Sequence, residues 1–312
     1  MDNDVIEAKN QWHAPKARPS KAPTDFQIQL AKSPYAQMLA TPVRQCQGTR
    51  ARLPSYFMQA FTIMAHPETK QPWRVPLDLT KKHQPAQETS EASDAKAPNL
   101  PLPVGAIGYV NSRQKLMEAL VNSSSGYGER WKSSYAEIMG KYHSTRRIIQ
   151  ATQWRSDMDT HILELHRRRL VEHLQYTTQL RRGYISRSAT WEDSTLAKRQ
   201  AGGIIWTGPR SGGFANFDDD NATDQIVVPE FSTLEIGKTG KQVPVFNLRR
   251  MLGKEHLSKL RLACPSFGGE IMIIKDKRMT VDLRKRLWKL EGYIASYYEH
   301  IPDHVAAALN DL

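Results

Sequence analysis

Gly268-Gly269-Glu270-Ile271-Met272-Ile273-Ile274-Lys275 is the stretch that sets the fold class. Its apolar run is too short for a membrane span or a long helix and is flanked by glycines and by charge, so it reads as a buried strand. Thr280 then stands ahead of Leu283, Leu287, Leu290, Ile294 and Tyr297, whose spacing predicts a capped helix with one apolar face. Working back from the strand, Leu252 to Leu262 fits a short helix stopped by Pro265. Before it, Lys238-Thr239-Gly240-Lys241 is a hairpin turn between strand-like Phe231–Ile236 and Val243–Leu248, with Ile226-Val227-Val228 as a further strand. Strands mixed with helices predict an α+β fold whose C-terminal part is a small sheet-and-helix unit.

Further upstream, Glu129 to about Arg182 lacks proline and has one internal glycine, Gly140. Trp131, Tyr135, Ile138 and Tyr142 share one helical face, and Met158, Ile162, Leu165, Leu170 and Leu174 continue an apolar stripe in a shifted phase. One or two long central helices follow, with a break near Ser156-Asp157. Gln114–Val121 is a shorter helix behind a strand at Ile107–Val110. The period of Leu53–Met64 fits a strand and a short helix alike. Residues 1–32 read as a disordered basic arm, 33–80 as a basic segment, 81–104 as a Pro- and Ala-rich flexible linker, and 105–312 as the mixed helical and α+β domain.

The 312 residues carry 44 Lys and Arg against 32 Asp and Glu, a net charge of +12. That balance favours phosphate-rich partners over acidic small molecules, and an anionic membrane surface attracts the same charge as nucleic acid. Two cysteines, Cys46 and Cys264, with no CxxC, exclude a disulfide framework and argue against structural zinc. No run approaches the roughly 18 apolar residues of a membrane helix, so no transmembrane segment is expected. Asp2, Asp4 and Glu7, then Pro15, Pro19 and Pro23, do not make the acid-poor amphipathic helix of a matrix presequence.

Catalytic and cofactor signals are weak. Gly237-Lys238-Thr239 imitates the end of a P-loop, but Ser232 stands where its first glycine belongs and a strand follows. Gly202-Gly203 and Gly208–Gly213 read as one flexible loop, in which Arg210 alone suggests an anion. Asp218-Asp219-Asp220 lacks the glycine and distal glutamate of a calcium loop. His161, Glu164, His166 and His173 miss the spacing of helical zinc ligands and read as exposed helix residues, and Cys264 has no base nearby in sequence. No catalytic residue and no cofactor is expected.

Basic clusters carry more. Between Arg249 and Lys289 twelve Lys and Arg face four acids. Arg284, Lys285 and Arg286 are expected opposite the apolar stripe of the last helix, and Arg167, Arg168 and Arg169 give the long helix a similar face. In the N-terminal segment Arg44, Arg50 and Arg52 stand in an acid-free, proline-marked stretch. These nine cations are the candidate phosphate contacts.

Tyr35 followed by Leu39-Ala40-Thr41-Pro42-Val43-Arg44, then the charged and apolar run Arg50–Met64, resembles the fungal mitochondrial family named for being required for respiratory growth, in particular its eighth member. A weaker echo is the strand that ends in Lys275-Asp276-Lys277-Arg278. The resemblance implies a mitochondrial factor for maintenance and expression of the mitochondrial genome, working with RNA-processing or translation machinery. The expected function is therefore non-catalytic RNA or ribonucleoprotein binding. Two alternatives are an accessory subunit of the fungal mitochondrial ribosome and an enzyme acting on a phosphorylated substrate.

Overall fold

The structure is a computed structural model and describes residues 2–12, 22–80, 107–121, 130–139, 143–180, 182–189, 191, 200–208, 228–236 and 240–297. Two helices occupy the stretch expected to be disordered: α1 (Asn3–Trp12) and α2 (Asp25–Lys32). Thr24 and Gln27 form a reciprocal capping box that starts α2, which satisfies backbone donors that a disordered arm would leave to water. Ser33 caps the short α3 (Pro34–Leu39). The expected linker at 81–104 lies outside the described residues.

Strands β1 (Val43–Gln45) and β2 (Arg52–Pro54) form a separate antiparallel ribbon. Leu53–Met64, of ambiguous period, is divided between β2, a 3₁₀ turn at Ser55–Phe57 and β3 (Met58–Ala65). The ambiguity has a physical origin: Met58 to Ile63 are all buried, so no polar face alternates with the apolar one. β3 is the centre of a sheet flanked by β4 (Pro72–Pro76) and β5 (Gly108–Asn111). The two stretches on either side of the expected linker therefore share one sheet, and 33–80 is not an independent segment. The short helix α4 (Leu77–Thr80) follows β4.

The helical middle is divided into α5 (Gln114–Val121), α6 (Arg130–Met139), α7 (His143–Ala151) and α8 (Met158–Gln179). The break before Met158 falls where the sequence placed one. Gln153 leaves the helical path because its backbone bonds to β4, donating to Pro72 O at 3.0 Å and accepting from Arg74 N at 3.0 Å. The stripe on α8 has no phase shift. Met158, Ile162, His166, Leu170 and Leu174 form a continuous i, i+4 row in which buried His166 takes the place assigned to Leu165. Burial holds the His166 imidazole neutral, well below its ordinary range, and the ring lies 5.5 Å from that of Tyr293.

The C-terminal half contains β6 (Ile185–Ser188), β7 (Ala201–Trp206), β8 (Thr233–Ile236), β9 (Lys241–Asn247), α9 (Leu248–Ala263), β10 (Ile271–Lys275) and α10 (Val281–Ile294). They build a five-stranded mixed sheet in the order β6-β10-β7-β9-β8, with β7 and β9 parallel and the other pairs antiparallel. β8 and β9 form the expected hairpin, and the Lys241 strand that follows Gly237-Lys238-Thr239 is not the helix of a P-loop. Gly202 and Gly203 do not belong to a loop. They sit in β7, a fully buried inner strand. A Cβ on Gly202 would come within 2.9 Å of Asp276 Cα, so glycine here permits a close backbone approach.

Leu170, Leu174, Phe246, Leu257, Leu283 and Leu287 belong to the core between this sheet and α8, α9 and α10, while Ile204, Val243 and Ile273 pack on its other face. α10 also reaches the N-terminal sheet, where Tyr293 joins Met58, Phe61 and Met117. It is therefore an internal strut between two sheets. The fold is mixed α+β, as its strand and helix patterns predict, and no described helix is long and apolar enough to cross a membrane.

Candidate nucleic-acid interface

The nine arginines and lysines nominated by charge fall into three environments. Arg44, Arg50 and Arg52 are exposed on the β1–β2 ribbon. Gln45 pairs with Arg52 and Arg44 with Leu53, so Arg44 shares the Leu53 face while Arg52 lies on the other. The ribbon is anchored by buried Cys46, whose Sγ accepts from Thr49 N and Asn111 N, and by the Gln47 N–H to Tyr109 O bond of 2.9 Å. Arg44 stacks over the Tyr109 ring at 5.5 Å.

The Arg167–Arg169 triplet is split by the helical turn. Arg167 is half-buried and donates Nε to Met251 O at 2.9 Å, beside the kink in α9 where Gly253 adopts φ 69°. Arg168 is exposed, 3.9 Å from Glu164, and Arg169 is half-buried.

On α10 the expected basic face is largely covered, because elements pack on both sides of this helix and only Asp282 is exposed. Arg284 is 4 % exposed and donates to Gly202 O at 3.3 Å, Lys32 O at 3.0 Å and Asp276 Oδ1 at 2.9 Å. A phosphate would have to displace these acceptors to reach it, so Arg284 is buried where an exposed contact was expected. Lys285 is half-buried between Gln37 Oε1 at 2.9 Å and Asp282 Oδ1 at 2.7 Å. Arg286 is half-buried as well, and burial lowers its pKa despite nearby Asp282.

Arg74, absent from the nine, is 1 % exposed and lies 4.5 Å from the centre of the Trp131 ring and 4.6 Å from that of Trp154. It donates to Gln47 Oε1, and burial lowers its pKa to about 9. This arginine is enclosed by aromatic faces and presents nothing to solvent.

A cleft of about 380 Å³ opens where the ribbon meets α10. One wall is aromatic: Phe231 stacks on Trp288 with ring centres 5.8 Å apart and planes at 13°, and Tyr297 lies 5.6 Å from Phe231. The facing wall comes from Leu53, Tyr56 and Phe57, immediately after the ribbon arginines. Tyr56 donates its hydroxyl to Lys285 O. Two cations complete the lining. The Arg113 guanidinium lies 3.9 Å from the Tyr297 ring centre, and Lys289 Nζ is 5.4 Å from that of Tyr56 while donating to Met58 O at 3.3 Å. Asn111 and Ser112 line it too, and the buried Ser112 hydroxyl has no hydrogen-bond partner among the described residues. Among the described residues, no carboxylate lines the cleft.

Carboxylates instead hold the aromatic wall from behind. Phe231 and Tyr297 adopt left-handed backbone conformations, φ 54° and 63°, uncommon for bulky residues. Glu291 Oε1 accepts from Phe231 N at 3.1 Å. Glu230 accepts from Ser296 N at 3.0 Å and Tyr297 N at 3.5 Å, and pairs with Arg250. Burial raises Glu291 from 4.5 to about 7, with the Phe231 N–H bond and Arg250 opposing and Glu230 adding to the rise. Burial acts upward on Glu230 too, but the Ser296 N–H and Arg250 hold it below the ordinary carboxylate range.

The other sequence candidates do not assemble. Glu164 meets His256 Nε2 at 2.7 Å, away from a third ligand, and no group of metal-binding side chains occurs among the described residues. Cys264 is buried and burial raises its thiol pKa. The Gly208–Gly213 loop with Arg210 lies outside the described residues beyond Gly208, as does the Asp218–Asp220 run. Charge counting missed the cleft because Tyr56, Arg113, Phe231, Trp288 and Tyr297 come from distant segments, and no spacing links them. No protein-family model, curated protein or solved structure matches the chain.

Proposed function

We propose that this chain is a non-catalytic factor that binds RNA or a ribonucleoprotein and acts in maintenance and expression of the mitochondrial genome. The observation that carries the RNA reading is the β1–β2 ribbon, which exposes Arg44, Arg50 and Arg52 with no carboxylate between Pro42 and Pro54. Arginine forks on a short, anchored ribbon suit the phosphates of a strand, and such contacts position a backbone without reading sequence. The mitochondrial setting rests on the resemblance of Leu39–Arg44 and its surroundings.

RNA binding by purified protein, followed across salt concentration, tests the reading. Arg44→Gln/Arg50→Gln/Arg52→Gln should weaken binding and lower the slope of log K against log salt by about 2, three contacts at roughly 0.7 each. An unchanged slope removes the ribbon from the interface, and no salt-dependent binding at all removes the RNA reading. Sedimentation of mitochondrial extract separates the partners. A light, ribonuclease-sensitive particle indicates a processing factor, whereas co-migration with a ribosomal subunit indicates an accessory ribosomal protein.

A further inference from the structure

We propose that the cleft between the ribbon and α10 is a nucleotide site that takes one unstacked base together with its adjoining phosphate. The inference deepens the RNA reading and rests on it only for the source of the nucleotide, a residue of a single strand or a free mononucleotide.

Three features select this ligand chemistry. The cleft volume of about 380 Å³ is within the usual range for small-ligand sites and accepts one nucleotide unit. Its Phe231, Trp288 and Tyr297 wall offers a ring edge or face to a flat heterocycle, the sequence-tolerant contact by which proteins hold unstacked bases. Its two cations, with no carboxylate among the described lining residues, favour a ligand that also carries an anion. Arg113 meets that need well. Its guanidinium lies 3.9 Å from the Tyr297 ring centre and spends one hydrogen bond on the Tyr297 side chain, and the remaining donors of the five-N–H fork suit a phosphate.

A purely apolar guest fits less well. Ser112 is 7 % exposed, lines the cleft and has no partner for its hydroxyl among the described residues, with Asn111 beside it. A base edge supplies both donors and acceptors to such a pair. The wall is also fixed before any ligand arrives. Phe231 and Tyr297 are held in left-handed backbone conformations by Glu291 and Glu230, and strain maintained by surrounding bonds is a mark of binding sites. The strand can enter from the ribbon. Arg44 lies on the same face as Leu53, which lines the cleft, so consecutive phosphates can meet the ribbon while one base turns inward.

Isothermal titration calorimetry on the full chain tests the site, with AMP and UMP as probes and adenosine, uridine and ribose 5-phosphate as controls. A monophosphate should bind at one equivalent, at least about tenfold more tightly than its nucleoside or ribose 5-phosphate, the difference expected from a charge-assisted pair. Arg113→Ala should weaken the monophosphate about tenfold and the nucleoside less, while thermal melting, lowered only slightly by the lost Tyr297 contact of an exposed side chain, shows that the fold is intact. Lys289→Met, which keeps the apolar stem, should act in the same direction. Failure of both monophosphates to bind, or equal binding of ribose 5-phosphate, or an Arg113→Ala protein that binds as tightly as the wild type, overturns the proposal.

A five-residue oligouridylate separates the two sources. Tighter binding than UMP, with the gain lost in Arg50→Ala/Arg52→Ala while UMP binding persists, identifies a residue of a strand. Affinity no better than UMP identifies a free nucleotide. If RNA binds through the ribbon but no mononucleotide binds, the site fails and the RNA reading stands. If mononucleotides bind and RNA does not, the site stands and the RNA reading fails.

Discussion

The β1–β2 ribbon and helix α10 look alike by charge, each offering three closely spaced cations, yet the fold uses them in opposite ways. On the ribbon Arg44, Arg50 and Arg52 stay exposed on two short strands outside the main sheets, while Leu53 beside Arg52 packs inward. On α10 Arg284 is enclosed because a second set of elements, α3 and the end of α2, covers the side away from Leu283 and Leu287. A stripe of leucines marks one buried face of a helix and says nothing about the opposite face. A strut between two sheets leaves little solvent side for its charges, and Asp282 alone in α10 is exposed.

The largest effect that separates the two regions is on stability. Arg284→Ala removes donors to Gly202 O, Lys32 O and Asp276, and should cost about 3–5 kcal/mol in urea unfolding, the range for breaking a buried charge pair. Arg284→Lys should recover only part of this, since one ammonium cannot reach three acceptors set around a planar fork. A loss below about 1 kcal/mol, accompanied by weaker RNA binding, would return Arg284 to the surface and erase the contrast.

Next in size is the pH dependence created by Glu291 on the same helix. The folded carboxyl keeps its proton up to about pH 7, whereas the unfolded one loses it near 4.5. Between those values the folded state holds the extra proton, so stability is greatest at the acid end and falls as pH rises through the window, by up to about 3 kcal/mol. Glu230, held below its ordinary value, has the opposite slope but acts at more acid pH. Glu291→Gln keeps an acceptor for Phe231 N, and its stability should change far less between pH 5 and pH 8 in urea titrations. An equal pH slope in wild type and variant would mean that Glu291 ionises normally.

Much of the fold was legible where one local signal acted alone. The apolar run of β10, the periodic leucines of α10 and the Gly240 hairpin all appear where the pattern put them. The failures share a cause, which is that one residue type serves two physical ends. Gly202 and Gly203 read as loop glycines but serve close packing inside β7, and His166 reads as polar but completes a buried row on α8. Thr24 and Gln27 form a capping box in a stretch whose prolines and lysines read as disordered. Of the candidate interface, the ribbon arginines are exposed, as an acid-free, proline-marked stretch suggests, and nothing beyond that exposure was legible. The cleft was not, since Tyr56, Arg113 and Phe231 meet only through the tertiary fold.

The Arg167–Arg169 triplet gives a smaller, internal version of the contrast. Arg167→Ala loses its bond to Met251 O beside the Gly253 kink and should destabilise by about 1–2 kcal/mol, while exposed Arg168→Ala should stay within about 0.5 kcal/mol. Equal effects would show that helix position does not sort these charges.

The smallest expected change in stability belongs to the ribbon. Arg44→Gln/Arg50→Gln/Arg52→Gln keeps long polar side chains at exposed positions, so unfolding should shift by less than about 0.5 kcal/mol each for Arg50 and Arg52. Arg44 also loses its contact with the Tyr109 ring, worth about 0.5–1 kcal/mol at an exposed position, and any measurable loss should trace to that residue. RNA affinity should nevertheless fall, and most steeply at low salt, because each lost phosphate contact also removes its share of counterion release. Arg284→Lys tested beside it should lose stability while keeping the salt slope. That crossed result, one variant moving only stability and the other only the slope, is what distinguishes a cation that supports the fold from one that is presented to a partner.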